Sequence, residues 1–150
     1  MTYPRDGFRE LARHECLDLL RQVPVGRVVH TRDALPAILP VNFSLDADSA
    51  VLLRTSADSE LARSIDGAVV AFEADVVDAV ARSGWSVVVT GLATVVDDPA
   101  VHAHLTRTGP RSWLASPKDV FIRIASELVT GRELVGEGTT YRAEPSSELP

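Results

Sequence analysis

Gly84-Trp-Ser-Val-Val-Val-Thr-Gly-Leu-Ala-Thr-Val-Val96 decides the fold of this chain. The run is long and dominated by β-branched side chains, which suit a pleated surface and lose rotamer freedom in a helix, so it predicts a central strand. Gly91 sits inside it. A glycine in a strand interior marks a bulge, a bend or the close approach of another backbone, and a bend in a long strand is what curls an open sheet shut.

Upstream, Ala68-Val-Val-Ala-Phe-Glu73 is a further strand whose continuous apolar run predicts burial on both faces. Before it, Asp66-Gly67 breaks a short helix over Ser59 to Ile65. Ala50 to Thr55, Pro36 to Leu45 and Gly26 to Arg32 read as strands, joined by turns at Asp46-Ala47-Asp48 and Asp33-Ala34-Leu35. Phe8, Leu11, Ala12, Cys16, Leu19 and Leu20 recur at helical steps, predicting an amphipathic helix from Phe8 to Leu20 that Val23-Pro24 stops. Downstream, Asp98-Pro99 opens a helix through Leu105, Thr108-Gly-Pro-Arg111 is loop, and Val120 to Ile124 restarts a strand that continues near Val129. Strands outnumber helices and follow one another by short turns. That pattern favours a mainly β fold, a small antiparallel β-barrel with flanking helices, over alternating βαβ units. Residues 1–136 read as one domain and residues 137–150 as a polar C-terminal tail with little to bury.

A chain of 150 residues, 45% of them hydrophobic, can fill one sizeable core. The net charge of −6 opposes a nucleic-acid or anionic-membrane partner, since both require a basic surface. Lys118 is the only lysine, so the positive charges are nearly all guanidinium groups, suited to bidentate contacts with anions. Cys16 is alone, which excludes an internal disulfide or a cysteine-built zinc site and fits a reducing cytoplasm. The charged N-terminal residues lack the apolar run of a signal peptide, and no segment reaches the roughly 18 uninterrupted apolar residues of a membrane helix.

Few polar residues stand out as chemistry. His102 and His104 are two apart on a helix, not at the four-residue step that clamps a metal, so no metal is expected. His30 is expected half-exposed on its strand, and Asp46 and Asp48 resemble an aspartate-rich turn without the spaced glutamate of a calcium loop. Ser112 and the other serines lack a nucleophile elbow. The stretch Val51-Leu-Leu-Arg-Thr-Ser-Ala-Asp-Ser-Glu60 is more informative: a strand ending in Arg54 and Thr55 runs into a helix start. It reads either as a phosphate cradle or as a capped helix.

The order of motifs carries more than any one of them. Pro24-Val-Gly-Arg27 enters the first strand, Leu39-Pro-Val-Asn-Phe43 lies on the second, and Arg54-Thr55 ends the third. Gly84-Trp-Ser86 lies on the long strand and Val129-Thr-Gly-Arg132 near the end. In this arrangement the chain, from about Leu11 to Leu134, resembles the FMN-binding split-barrel proteins related to pyridoxamine 5′-phosphate oxidase, in their compact actinobacterial-type branch. The resemblance implies a six-stranded antiparallel split barrel, a homodimer, and FMN in two clefts at the subunit interface. It places Pro40, Val41 and Asn42 beside the isoalloxazine ring, Arg54, Thr55 and Ser59 at the phosphate, and Trp85 and Ser86 near the flavin of the partner subunit. Arg27, Arg123 and Arg132 are further candidate cations. Glu60 departs from the pattern, standing where the family commonly has a lysine that reaches the phosphate.

The implied activity is flavin-dependent oxidoreduction of a small molecule, with the chemistry belonging to the flavin. Two alternatives stay open: a non-catalytic module holding flavin, deazaflavin or heme, and a structural homodimer whose cleft is vestigial.

Overall fold

Along residues 7–113 and 119–136, which the computed structural model describes, the elements in chain order are β1 (Phe8–Glu10), α1 (Arg13–Leu20), β2 (Val25–Arg32), β3 (Leu35–Leu45), β4 (Val51–Thr55), α2 (Glu60–Ser64), β5 (Val69–Asp78), β6 (Ser83–Val95), α3 (Pro99–Thr108), β7 (Val120–Ile124) and β8 (Leu128–Leu134). The polar tail expected over residues 137–150, and Lys118, lie outside the described residues. Strands β6, β5, β2, β3, β4 and β7 are neighbours in that order, each antiparallel to the next, and β7 pairs back onto β6. Six strands therefore close a barrel, and β8 and β1 extend the sheet past β6 as a flange.

The valine-rich strand makes the closure. Gly84 to Thr90 pair with β8, whereas Ala93 to Val95 pair with β7, and Gly91 stands at the changeover. A Cβ at Gly91 would lie 1.8 Å from the Ala125 carbonyl oxygen, so only glycine fits the crossing. Two amides at the crossing find partners there. Leu92 N donates to the Glu127 carboxylate at 3.1 Å, and Ala125 N donates to the Leu92 carbonyl at 3.0 Å.

Local chemistry accounts for the turns. Asp33 and Ala34 both have positive φ, 51° and 64°, in the two-residue loop of the β2–β3 hairpin, the handedness that matches strand twist. Asp46 Oδ1 accepts from Asp48 N and Ala50 N, both at 2.9 Å, making the aspartate-rich turn a backbone device. Asp98 caps α3 through Ala100 N at 2.8 Å, with Pro99 at the first turn.

Several boundaries differ from the sequence expectation. Phe8 is not on the first helix. It begins the edge strand β1, paired with Leu134 and stacked under the Arg132 guanidinium at 4.4 Å, and the helix starts at Arg13. Pairing to an open sheet edge satisfies more backbone groups than one frayed helical turn. The segment near Val129 is a separate strand, β8, because the chain turns at Ala125 to leave β7 and reach the flange. His30 is buried, 8% exposed, since it alternates with Gly26 and Val28 on the inner face of β2; its Nδ1 has no hydrogen-bond partner.

Burial of β5 on both faces is also corrected. Val70, Phe72 and Ala74 point into the core, while the intervening residues face outward with Val69 68% exposed. That outer face is continuous: Ile38, Val29, Ala71, Thr90 and Leu128 lie in register across β3, β2, β5, β6 and β8. Ile38 and Leu128 on it are 68% and 58% exposed. Among the described residues no helix is long and apolar enough to cross a membrane.

Glu73 and Asp75 share this outer face with Arg27, whose Nη1 lies 3.2 Å from Glu73 and 3.7 Å from Asp75. Burial, then the hydrogen bond and charge of Asp75, push the Glu73 carboxyl up to about 7 against the pull of Arg27. A carboxyl whose folded pKa is raised stabilises the fold fully below its unfolded value, and that contribution is lost as pH rises through 7. Stability at one protein concentration should therefore fall between pH 5 and pH 8 (approximate limits around the two pKa values). Glu73→Gln should flatten the slope, gaining on the order of 1 to 3 kcal/mol at the alkaline end. Urea denaturation at several pH values checks this; a slope unchanged by the substitution would refute the assignment to Glu73.

Candidate functional site

A cavity of about 400 Å³ opens where β3, the end of β4 and the segment before β7 converge. Pro40, Val41 and Asn42 line it from β3, Arg54 and Thr55 from the end of β4, and Ser112 and Trp113 from the segment after α3. Val25, Leu39 and Leu61 complete the lining. Residues up to 88 positions apart thus share one opening because β3 and β4 are hairpin partners and β7 lies beside β4. The five sequence-predicted residues from 40 to 42 and 54 to 55 are brought together, apolar on the β3 side and polar at the strand end.

Arg54 supplies the charge. Its guanidinium lies 4.9 Å from the Phe121 ring centroid, a cation–π contact across the β4–β7 pair that orients the fork at the strand end. Thr55 is buried, and its hydroxyl donates to Ser59 Oγ at 2.9 Å. Ser59 is also the N-cap of α2, its oxygen accepting from Ala62 N at 3.0 Å. The strand end and the helix start are therefore locked by one hydroxyl pair. Of the two readings left open above, the cap is present, and Arg54 and Thr55 remain on the cavity wall.

Glu60 is turned to other partners. Its carboxylate lies 3.3 Å from Arg63 and 3.9 Å from Arg32, on an exposed flank of α2, and it does not line the cavity. The missing lysine thus costs the site a cation without adding an anion to the wall.

The other candidates are placed elsewhere within the chain. Trp85 packs partly on the main core and lines a groove with Asp78, Gly84 and Leu134. With Ser86 it also borders a smaller hollow beside Phe8 and Arg132 on the flange. Arg27 is engaged by Glu73 and Asp75, and Arg123 by Asp46 at 2.8 Å and Asp48 at 3.6 Å, so these two arginines brace the sheet and a turn. Arg132 stacks on Phe8. His102 Nε2 donates to the Asp119 carbonyl oxygen at 2.5 Å and the ring meets Phe121 edge-on, which holds α3 against β7.

Trp113, Leu39 and Leu61 were not singled out by sequence reasoning. Leu61 lies in the short helix expected over Ser59 to Ile65, which carries no site signal; for Trp113 the one available signal is an aromatic residue in a polar loop, Gly109-Pro-Arg-Ser-Trp113.

As a chemical environment the cavity is an opening with a mainly apolar wall from β3 and a guanidinium at the end of β4. That combination suits a ligand with an apolar body and a terminal anion. Among its described lining residues no carboxylate, histidine, cysteine or lysine is present.

Known proteins give the same picture at the level of family. The sequence pattern of the pyridoxamine 5′-phosphate oxidase family matches residues 12–133. The uncharacterized protein Rv0080 of Mycobacterium tuberculosis is 44% identical over 142 residues, spanning 87% of this chain and 88% of that protein. The structure is similar to that of the FAD binding protein from Mycobacterium smegmatis, with TM-score 0.74 and 36% identity over 85% of this chain and 98% of that one. A conserved protein of unknown function from Corynebacterium diphtheriae, DIP1874, gives TM-score 0.73 and 35% identity over 87% of this chain and 100% of that one. The chain belongs to the pyridoxamine 5′-phosphate oxidase family.

Proposed function

We propose that this member of the pyridoxamine 5′-phosphate oxidase family is a flavin-binding split-barrel protein that works as a homodimer. FMN would place its phosphate at Arg54, Thr55 and Ser59 and its ring along Pro40 and Val41, with Asn42 flanking that wall. The observation that carries the reading is the convergence of those strand-end and mid-strand residues on one cavity with a cation at its end. The relative from Mycobacterium smegmatis is an FAD binding protein, and a phosphate-first seating serves either flavin nucleotide. When bound, the flavin would supply two-electron oxidation and reduction of a small molecule. The protein's own residues bind and orient it: Arg54 by charge-assisted hydrogen bonds, Pro40 and Val41 by excluding water from the ring.

The outer sheet face supports the dimer. It exposes Ile38, Val69 and Leu128 in a contiguous apolar band, which a second copy would cover. Ser86 shares that outer face, in register with Asp75 of β5, so a partner docked there would lie against it, while its neighbour Trp85 turns inward and packs partly on the core. A second reading, a split barrel with a vestigial cleft, is favoured by Glu60 and by the use of Ser59 as a helix cap.

Titration of purified protein with FMN, FAD and riboflavin, followed near about 450 nm where the flavin absorbs, separates the two. Sedimentation of the same sample should show twice the chain mass. Saturable binding with FMN or FAD tighter than riboflavin supports the proposal; a protein that binds none of the three, or binds flavin as a stable monomer, overturns it in its cofactor or its dimer part respectively.

A further inference from the structure

Trp113 stands two residues beyond Arg111, whose carbonyl oxygen accepts a hydrogen bond from Asn42 Nδ2 at 2.5 Å. Asn42 is on β3, next to Pro40 and Val41, so this bond ties the segment after α3 to the apolar wall of the cavity. Ser112 and Trp113 line the opening itself. The indole is nonetheless 66% exposed, and Leu39, which lines the same opening, is 42% exposed. A side chain with this much apolar area gains most when a flat partner covers it, and aromatic rings recognise one another by offset stacking. One of the two amide hydrogens of Asn42 is committed to holding the segment.

We propose that Trp113 is the ring-binding wall of the cavity and that Asn42 is its positioning residue. The Asn42 amide fixes residues 111–113 through the Arg111 carbonyl, and the indole covers the face of a planar ring lying along Pro40 and Val41. This rests on the flavin reading above and deepens it, because it makes the cavity selective for flat ring systems independently of phosphate. Arg54 and Trp113 then read different halves of one ligand.

The test compares riboflavin and FMN affinities for the full chain, Trp113→Ala, Trp113→Phe, Asn42→Ala and the double variant Asn42→Ala/Trp113→Ala. Trp113→Ala should weaken both ligands equally, by about tenfold, the size of a base–aromatic stack, and Trp113→Phe should recover most of that loss. Asn42→Ala should weaken both by a smaller factor, with no further loss once Trp113 is alanine, since residues acting through one another are not additive. A readout without ligand comes from the Trp85→Phe background, where Trp113 is the one remaining indole of two. There Asn42→Ala should alter quenching of Trp113 fluorescence by acrylamide.

If the full chain binds flavin and Trp113→Ala changes neither affinity, this inference falls and the flavin reading stands. If the full chain binds neither ligand, both fall. If Asn42→Ala costs the same with and without Trp113, Asn42 touches the ligand itself and the positioning role is refuted.

Discussion

Gly91→Ala is expected to lower the unfolding free energy by about 3 kcal/mol or more, among the largest effects any single substitution can have here. The added methyl carbon would sit 1.8 Å from the Ala125 carbonyl oxygen, a backbone atom that cannot rotate away. Relief requires β6 to withdraw from the crossing, which breaks either its pairing with β7 at Ala93 to Val95 or its pairing with β8 at Gly84 to Thr90. Either break opens the barrel. The control is Gly67→Ala, where φ is +79° but nothing lies within 4 Å of the new carbon, so only the backbone cost of about 1 kcal/mol applies. Urea denaturation of both variants decides it. Equal losses would mean that Gly91 is a flexible turn and that closure depends on something else.

That same glycine shows how much of the fold was legible. A glycine within a valine-rich strand can signal only a bend, a bulge or a close approach, and here it is a close approach at a bend. The hairpins were readable for a similar reason, because Asp33 and Asp46 impose local backbone geometry whatever surrounds them. The N-terminal helix was misjudged at Phe8 since its helical spacing says nothing about an open strand edge 124 residues away, where Arg9 meets Glu133. The outer face of β5 misled for the opposite reason. An apolar run states that both faces want cover, but a sequence does not say whether the cover comes from this chain or from another.

The site was legible in part. Pro40 to Asn42 and Arg54 with Thr55 fall on one cavity because hairpin pairing is local and its register follows from the turn. Trp113 could not be inferred, since the bond from Asn42 to Arg111 that ties its segment to the cavity wall spans 69 positions in sequence. Glycines of the ordered motifs were read as signatures, and the structure supplies their reason: a Cβ at Gly26 would lie 2.3 Å from the Phe72 ring and one at Gly131 would lie 2.6 Å from Cys16 Sγ. They are packing requirements of the barrel at Gly26 and of the flange against α1 at Gly131, and so identify the fold more firmly than the chemistry.

Chemistry is addressed by Arg54→Ala, which is expected to weaken FMN by about 1.5 to 3 kcal/mol while leaving riboflavin nearly unchanged. The difference between ligands matters more than either loss. Arg54 also lies over Phe121, and riboflavin is the control for that contact, since a packing loss in the β4–β7 pair would weaken it as much as FMN. Arg54→Lys separates the contributions further, keeping the charge while giving up the planar fork and its stacking, and should restore part of the FMN affinity. Because the Glu60 carboxylate is held by Arg63 and Arg32 on the exposed flank of α2, no second cation in the described cavity wall compensates, and the loss should fall on Arg54 alone. Raising the salt concentration should shrink the FMN advantage in the unmodified chain and leave the alanine variant indifferent. Calorimetry at two ionic strengths reads both. Equal losses for FMN and riboflavin would show that Arg54 braces the strand end and does not read phosphate, leaving the capped helix as the whole meaning of the turn from Thr55 to Ser59.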